Sequence, residues 1–496
     1  MAIASAIELG NDEVYYWTYA LHLQYNYFDH PPMVGWLIRL TTANLILHSE
    51  LFVRLGAIVS AAICTWMIFK IGKLINNERT GWFAALLYTS SLYSSIIAGT
   101  FILPDSPQMI FWLWGLLLLF KIKNAYEQGN TPTKLWLLFG LVAGCCIMSK
   151  VHGVFLWGAI GLYTLFIDRK WLLKRDMYLA VIVSLVIISP IVIWNVQNKF
   201  ITYTYHGNRV NLNGGGFNVE SFGRELIGSM FYNNPINFVL IWISLFGIWK
   251  INSHKKTIQL LLFAGLPLIL VLIGISMFRD TFPHWSGPGY TALMLVAAFY
   301  VDAKLANNIL SMPKVIKASL LLILFLSITG VGVIKLYPGT LSTAKGNNLG
   351  DGDFTLDMYG WKQVGSKMDS LHKADIANSS MTKAAPIVVN KWFPAAHIDF
   401  YVAQATHQNT YAIGDLFDLH HYQWLNKYKP ALKKGDDAYF IMPSNNFNKE
   451  NIHYYRERFD SVYAPTIIPI YRSKQLCKQV FIYKLKGYRL SPFYRL

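Results

Sequence analysis

Between residues 51 and 337 the chain is written as one apolar stretch after another, near 51–74, 80–102, 105–123, 134–150, 151–168, 178–197, 233–251, 257–278, 286–306 and 315–337. Each is about as long as a helix must be to cross the hydrocarbon of a bilayer. Only 14% of the residues are charged, 54% are hydrophobic and the mean hydropathy is +0.32, which excludes an ordinary soluble domain. The expected architecture is therefore a polytopic α-helical membrane protein. Pro32 to Leu47 is apolar but short and carries Arg39, so it reads as a helix lying at the interface.

Orientation follows from the cations, because Lys and Arg in short loops are retained on the cytoplasmic side. Lys70, Lys73 and Arg79 share a side with Lys121, Lys123 and Lys134, with Arg169, Lys170, Lys174 and Arg175, with Lys250, Lys255 and Lys256, and with Lys304, Lys314 and Lys317. The formal charge of +17 thus belongs to membrane lipid headgroups rather than to nucleic acid. The opposite, outer face receives Asp12 and Asp29, the turn Leu103-Pro104-Asp105-Ser106-Pro107, the Lys150–His152 junction, the 198–232 loop and Arg279–His284. Of four cysteines, Cys64, Cys145 and Cys146 fall in apolar stretches and Cys477 stands alone, so no disulfide or zinc framework is expected.

After residue 338 the pattern changes to short apolar runs such as Pro386–Val389, Ala438–Ile441 and Val480–Tyr483, separated by polar segments bearing Gly and Asn. That predicts a soluble α/β domain over 339–496, entered through a linker at Gly339–Asp353 and lying on the outer, periplasmic face. Residues 1–338 form the expected membrane domain, with a first outer loop at 10–50. An outer first loop normally follows a helix with a cytoplasmic start. We therefore expect a first span ahead of Met1, the alternative being a chain that starts outside.

The outer loops carry Asn11-Asp12-Glu13-Val14-Tyr15-Tyr16-Trp17, then Tyr27-Phe28-Asp29-His30-Pro31-Pro32, Pro104-Asp105-Ser106-Pro107 and Ser149-Lys150. Ser189-Pro190 with Trp194-Asn195 and the run Pro283–Tyr290 follow, and the tail adds Gly360-Trp361 and Ile413-Gly414-Asp415. In this order the chain resembles the bacterial glycosyltransferase family 39-like proteins, which belong with the dolichyl-phosphate-mannose protein mannosyltransferases and the aminoarabinose transferases of lipid A. The resemblance implies a C-type glycosyltransferase fold in a bacterial inner membrane. It also implies a polyprenyl-phosphate sugar donor and a lipid, glycan or protein acceptor whose hydroxyl attacks at the outer face.

An inverting transfer needs a base for the acceptor proton and groups that hold the leaving phosphate. The resemblance puts Asp12 at the catalytic acidic position; by spacing alone it reads as a helix N-cap. Glu13 reads as a first-turn residue favoured by the helix dipole, or as a supporting group at the site. Asp29 and His30 stand where the aminoarabinose transferases have an acid and a lysine. His30 would then touch the donor phosphate, its pKa raised by that anion, with Asp29 orienting it; the bland alternative is a turn before Pro31-Pro32. Asp105 is a cap, a site carboxylate, or both. Lys150 and His152 either snorkel at the boundary or bind phosphate. Arg209 and Arg279 are phosphate clamps by charge and face, or plain loop arginines. His284 reads as structural and Gly214-Gly215-Gly216 as a flexible loop. Asp12, Asp29 and the outer histidines are available to a divalent metal, but no ligand spacing names one.

Two other classes compete. A lipid-linked sugar flippase or transporter should place ionisable residues deep within spans or show repeated halves, and the sequence has neither. A non-catalytic membrane protein that binds glycans through its tail is the third reading.

Overall fold

The computed structural model describes residues 1–210, 216–251, 254–305 and 312–489. It divides into two compact units, one built from Leu23–Ser327 and the other from Ala2–His22 together with the chain from Ile328 on.

In the first unit every expected apolar stretch contains helix. Among the described residues five helices are long and apolar enough to cross a membrane: Glu50–Ile75, Asp105–Glu127, Arg175–Gln197, Lys255–Ser276 and Lys314–Leu336, the last running on into the second unit. Val219–Tyr232 and Pro235–Lys250 would make a sixth span, but they bend by 99° at their junction. The bend has a local cause. Asn234 adopts φ +66°, its side-chain oxygen accepts the Ile236 N–H at 3.1 Å, and Pro235 opens the next helix. The stretch near 80–102 is also interrupted, with helix over Glu78–Thr89 and a separate turn of π-helix over Tyr93–Ile97. The interfacial reading of Pro32–Leu47 corresponds to a short helix, Met33–Thr41, that buries Val34 and Ile38 and exposes Leu40.

Water gives no hydrophobic drive between helices in lipid, so close contact there depends on small residues. Gly140 on Thr133–Ser149 shows this: a Cβ there would lie 2.3 Å from the Ala180 carbonyl oxygen on Arg175–Gln197.

The second unit is the expected α/β domain. Its sheet has the order β2-β1-β3-β6-β4, with β1 Ile387–Val389, β2 Thr410–Ala412, β3 Ala438–Pro443, β4 Phe459–Val462, β5 Thr466–Arg472 and β6 Gln475–Tyr488. β1 runs parallel to β2 and β3, while β6 pairs antiparallel with β3, β4 and β5. The expected linker is held rather than loose: the buried Arg472 guanidinium donates to the Gly339 carbonyl at 2.9 Å and pairs with Asp353 at 3.1 Å.

Residues Ala2–His22 were expected with the membrane domain but sit in this second unit for a clear physical reason. The Asn11–Leu21 helix buries every side chain from Glu13 to Ala20. Its rings meet tail rings, Tyr15 with Trp392 at 5.1 Å, Trp17 with Phe400 at 5.0 Å and Tyr19 with His421 at 5.0 Å.

Candidate active site

The first unit gathers several of the residues singled out from sequence around one cavity. Its first loop is fixed to the Ile201–Val210 helix through Asn26, whose amide donates to Thr202 Oγ1 at 3.0 Å, and through Thr202, whose hydroxyl donates to the Tyr27 carbonyl at 3.1 Å. The same helix brings His206 over the loop, where its Nε2 donates to the Asp29 carbonyl at 2.6 Å and its ring lies 6.0 Å from that of His30.

Asp105 begins the Asp105–Glu127 helix but makes no side-chain cap bond. Its carboxylate is instead buried between Lys150, which donates to Oδ2 at 2.8 Å, and the Tyr93 hydroxyl, which donates to Oδ1 at 3.0 Å. Two charges withdrawn from water in this way hold each other, and neither is tolerated alone. Lys150 is the residue after the Thr133–Ser149 helix, where the chain turns through Val151–Val154. Gly153 permits that turn, since a Cβ there would lie 2.6 Å from the Ile147 nitrogen.

The cavity has a volume of about 250 Å³. Ile147, Ile188, Ile191, Val192, Leu272 and Ile275 form an apolar wall, and Asp29, His30, Lys150, His152, His206 and Arg209 line its polar part. Arg209 also lies over the rings of Trp285, Tyr205 and Phe282 at 5.4–5.7 Å. His152 keeps a buried Nδ1 without a hydrogen-bond partner. Burial pushes the His30 imidazole down to about 3, with Asp29 opposing, and the His284 imidazole down to about 4. His206 is lowered for the same reason, its bond to Asp29 opposing. In the protein alone these rings are neutral at physiological pH, so His30 offers a neutral N–H. The expected rise in its pKa would require an anion beside it.

Of the residues singled out from sequence, Asp29, His30, Lys150, His152 and Arg209 line this cavity, and Asp105 supports it from behind Lys150. Arg279 does not line it; its backbone carbonyl accepts from Ser221 Oγ. Gly214 and Gly215 lie outside the described residues. Asp12 and Glu13 belong to the second unit. Gly10 occupies the N-cap, Asp12 is exposed one residue into the helix, and Glu13 reaches back to the Gly10 N–H at 2.9 Å, completing the first turn. Beside Asp12, the Asn11 amide donates to Asp357 Oδ2 at 2.9 Å and accepts from His397 Nε2 at 2.9 Å. Among the described residues no three His, Cys, Asp or Glu side chains are grouped as metal ligands.

Sequence reasoning missed Tyr93 and His206. Tyr93 sits within an apolar stretch, where a tyrosine usually means anchoring. His206 falls in the 198–232 segment read from sequence as a loop, and only the Asn26–Thr202 link reveals that it meets Asp29.

A bundle of membrane-length helices, an apolar-walled cavity ending in cations and imidazoles, and an α/β sheet unit define a polytopic protein of the C-type glycosyltransferase fold. The fold matches that of ArnT from Cupriavidus metallidurans bound to undecaprenyl phosphate, with a TM-score of 0.59 at 15% identity, covering 97% of this chain and 95% of that one. The apo form of the same protein gives 0.59 at 13% identity. Residues 29–194 match the family described as dolichyl-phosphate-mannose-protein mannosyltransferase. The chain is 24% identical over 297 residues to the lipid A galacturonosyltransferase RgtD of Rhizobium johnstonii, a match covering 59% of this chain and 60% of the relative. It is 23% identical over 310 residues to the undecaprenyl phosphate-alpha-4-amino-4-deoxy-L-arabinose arabinosyl transferase of Yersinia pestis, covering 59% of this chain and 53% of that relative. The resemblance read from the sequence is thereby shown, while the match spans less than two thirds of the length of either relative.

Proposed function

We propose that the chain is an inverting glycosyltransferase that moves a sugar from a polyprenyl-phosphate carrier to an acceptor hydroxyl at the outer, periplasmic face of a bacterial inner membrane. The cavity carries this reading. Its apolar wall suits a polyprenyl chain, and His30, Lys150 and Arg209 suit the phosphate at its end. The buried, unpartnered Nδ1 of His152 adds a polar atom for a ligand to meet.

In the proposed step Asp12 takes the acceptor proton as the acceptor oxygen attacks the anomeric carbon. The bond from that carbon to the phosphate oxygen breaks, and the polyprenyl phosphate leaves with the electron pair. Lys150 and Arg209 meet the charge growing on the leaving phosphate and His30 donates to it. Asp105 acts through Lys150, holding the ammonium in place, and Glu13 fixes the turn that presents Asp12. The relatives' names speak of galacturonosyl and aminoarabinosyl transfer; the lipid A named for one of them is the first acceptor to try.

The test supplies a radiolabelled undecaprenyl-phosphate sugar to the intact protein and to Asp12→Asn. Loss of a general base should slow transfer by about 10²–10⁴-fold. Equal transfer by both would overturn the base, and lipid translocation without transfer would overturn the reading in favour of a transporter.

A further inference from the structure

The sheet of the second unit has a crevice that the proposed reaction does not use. β1 leads on to β2 on one side of it, whereas β3 leads through the Lys449–Arg456 helix to β4 on the other side. The chain segments leaving these two parallel neighbours therefore part in opposite directions beyond their carboxyl ends. Open α/β sheets bind ligands at such a switch point. A shallow crevice of about 40 Å³ lies there, so that a ligand would rest on its mouth, and its polar lining comes from Asn390, Lys391, Asn446, Asn448 and Asn451, with Phe393 beside them.

The chemistry of the lining selects a class of ligand. An asparagine amide both donates and accepts, which suits groups that do the same, namely hydroxyls, although Asn448 Oδ1 already accepts the Glu450 N–H at 2.9 Å as a helix cap. Asn390 already donates to Asn451 Oδ1 at 2.8 Å, which holds two of the amides in register. Among the described residues no carboxylate lines the crevice, which disfavours a metal or a cationic ligand. Among the described residues the one cation in the lining is Lys391, which lies 3.7 Å from Asp418. Phe393 adds a ring on which the C–H face of a pyranose can lie.

We infer that this crevice is a binding site for a neutral saccharide, separate from the cavity of the first unit. The inference does not depend on the transferase reading, because binding here needs no donor. Saturation-transfer NMR on the full chain in detergent tests it, with chitobiose and maltotriose as probes and inorganic phosphate as the contrasting one. At least one saccharide should bind, and Asn390→Ala and Asn446→Ala should each weaken it about tenfold, the loss expected for one hydrogen bond. Should Asn390→Ala lower the melting temperature, Phe393→Leu carries the test, since it keeps the backbone and amides and removes the ring. Failure of both saccharides to bind, binding unchanged in the variants, or preference for phosphate would overturn the inference. Donor transfer measured on the same preparations should be detectable whether or not the crevice binds sugar, which separates the two readings.

Discussion

Two polar clusters in this protein use the same residue types for opposite ends. In the first unit Asp105 and Lys150 form a buried ion pair beside imidazoles that face a cavity of about 250 Å³. In the second unit Asn11 sits between Asp357 and His397, and the His397 ring stacks on Trp361 at 4.4 Å with 6° between planes. Burial pushes the Asp357 carboxyl up to about 6, with Lys478 opposing, whereas Asp105 has the Lys150 ammonium at 2.8 Å. Polar groups that point into open space are arranged for a ligand. Polar groups that close on one another hold a segment in place, here the turn carrying Asp12.

The largest expected contrast is between two Asp→Asn changes. Asp105→Asn leaves the Lys150 ammonium buried without its counter-charge and should cost about 3–5 kcal/mol. Asp357→Asn keeps an acceptor for the Asn11 amide and removes a charge that burial already disfavours, so it should cost less than about 1 kcal/mol. Thermal unfolding of both variants in one detergent checks this, and equal losses would erase the distinction between the clusters.

The pH dependences should run in opposite directions. His30 and His284 have folded values below the unfolded value, so their contribution is complete above about 6.5 and is lost as pH falls toward about 4 and 3. Asp357 is raised, so its contribution is complete below about 3.8 and is lost as pH rises through about 6. Melting curves between pH 4 and pH 7 should therefore lose their acid-side decline in His30→Gln/His284→Gln and their alkaline-side decline in Asp357→Asn. Identical pH profiles for the three proteins would show that these groups do not set the trend.

The smallest effect concerns the turn itself. Glu13→Ala removes the carboxylate that accepts the Gly10 N–H and should cost about 1 kcal/mol of stability. Transfer should fall by more than that stability loss explains, because Asp12 is carried on the same turn. Full transfer at saturating donor would mean the turn does not position the base.

Much of this was legible in the sequence where the signal was local. The apolar stretches gave the helices, and the short apolar runs at Pro386–Val389, Ala438–Ile441 and Val480–Tyr483 fall on the strands Ile387–Val389, Ala438–Pro443 and Gln475–Tyr488. Asp12, Asp29, His30, Asp105, Lys150, His152, Arg209 and Arg279 were read as one face; Asp29, His30, Lys150, His152 and Arg209 line one cavity, and Asp12, Asp105 and Arg279 do not. What the sequence could not supply was partnership across distance. Whether Lys150 snorkels to water or pairs with Asp105 depends on Tyr93 and the Gly153 turn, which bring segments 45 residues apart into contact. The aromatic face of Asn11–Leu21 was equally ambiguous. Rings at a membrane boundary and rings packed on a soluble domain read alike until Trp392 and Phe400 are placed beside them.

The central claim is that the cavity of the first unit takes a polyprenyl phosphate with its anion at His30, Lys150 and Arg209. Binding of undecaprenyl phosphate and of undecaprenol, compared in the intact protein and in Arg209→Gln, addresses it directly. The account predicts that the intact protein prefers the phosphate by at least about tenfold, as one charge-assisted hydrogen bond would give, and that Arg209→Gln loses most of that preference while still binding the alcohol. Equal binding of the two lipids by the intact protein, or an unchanged preference in the variant, would contradict it.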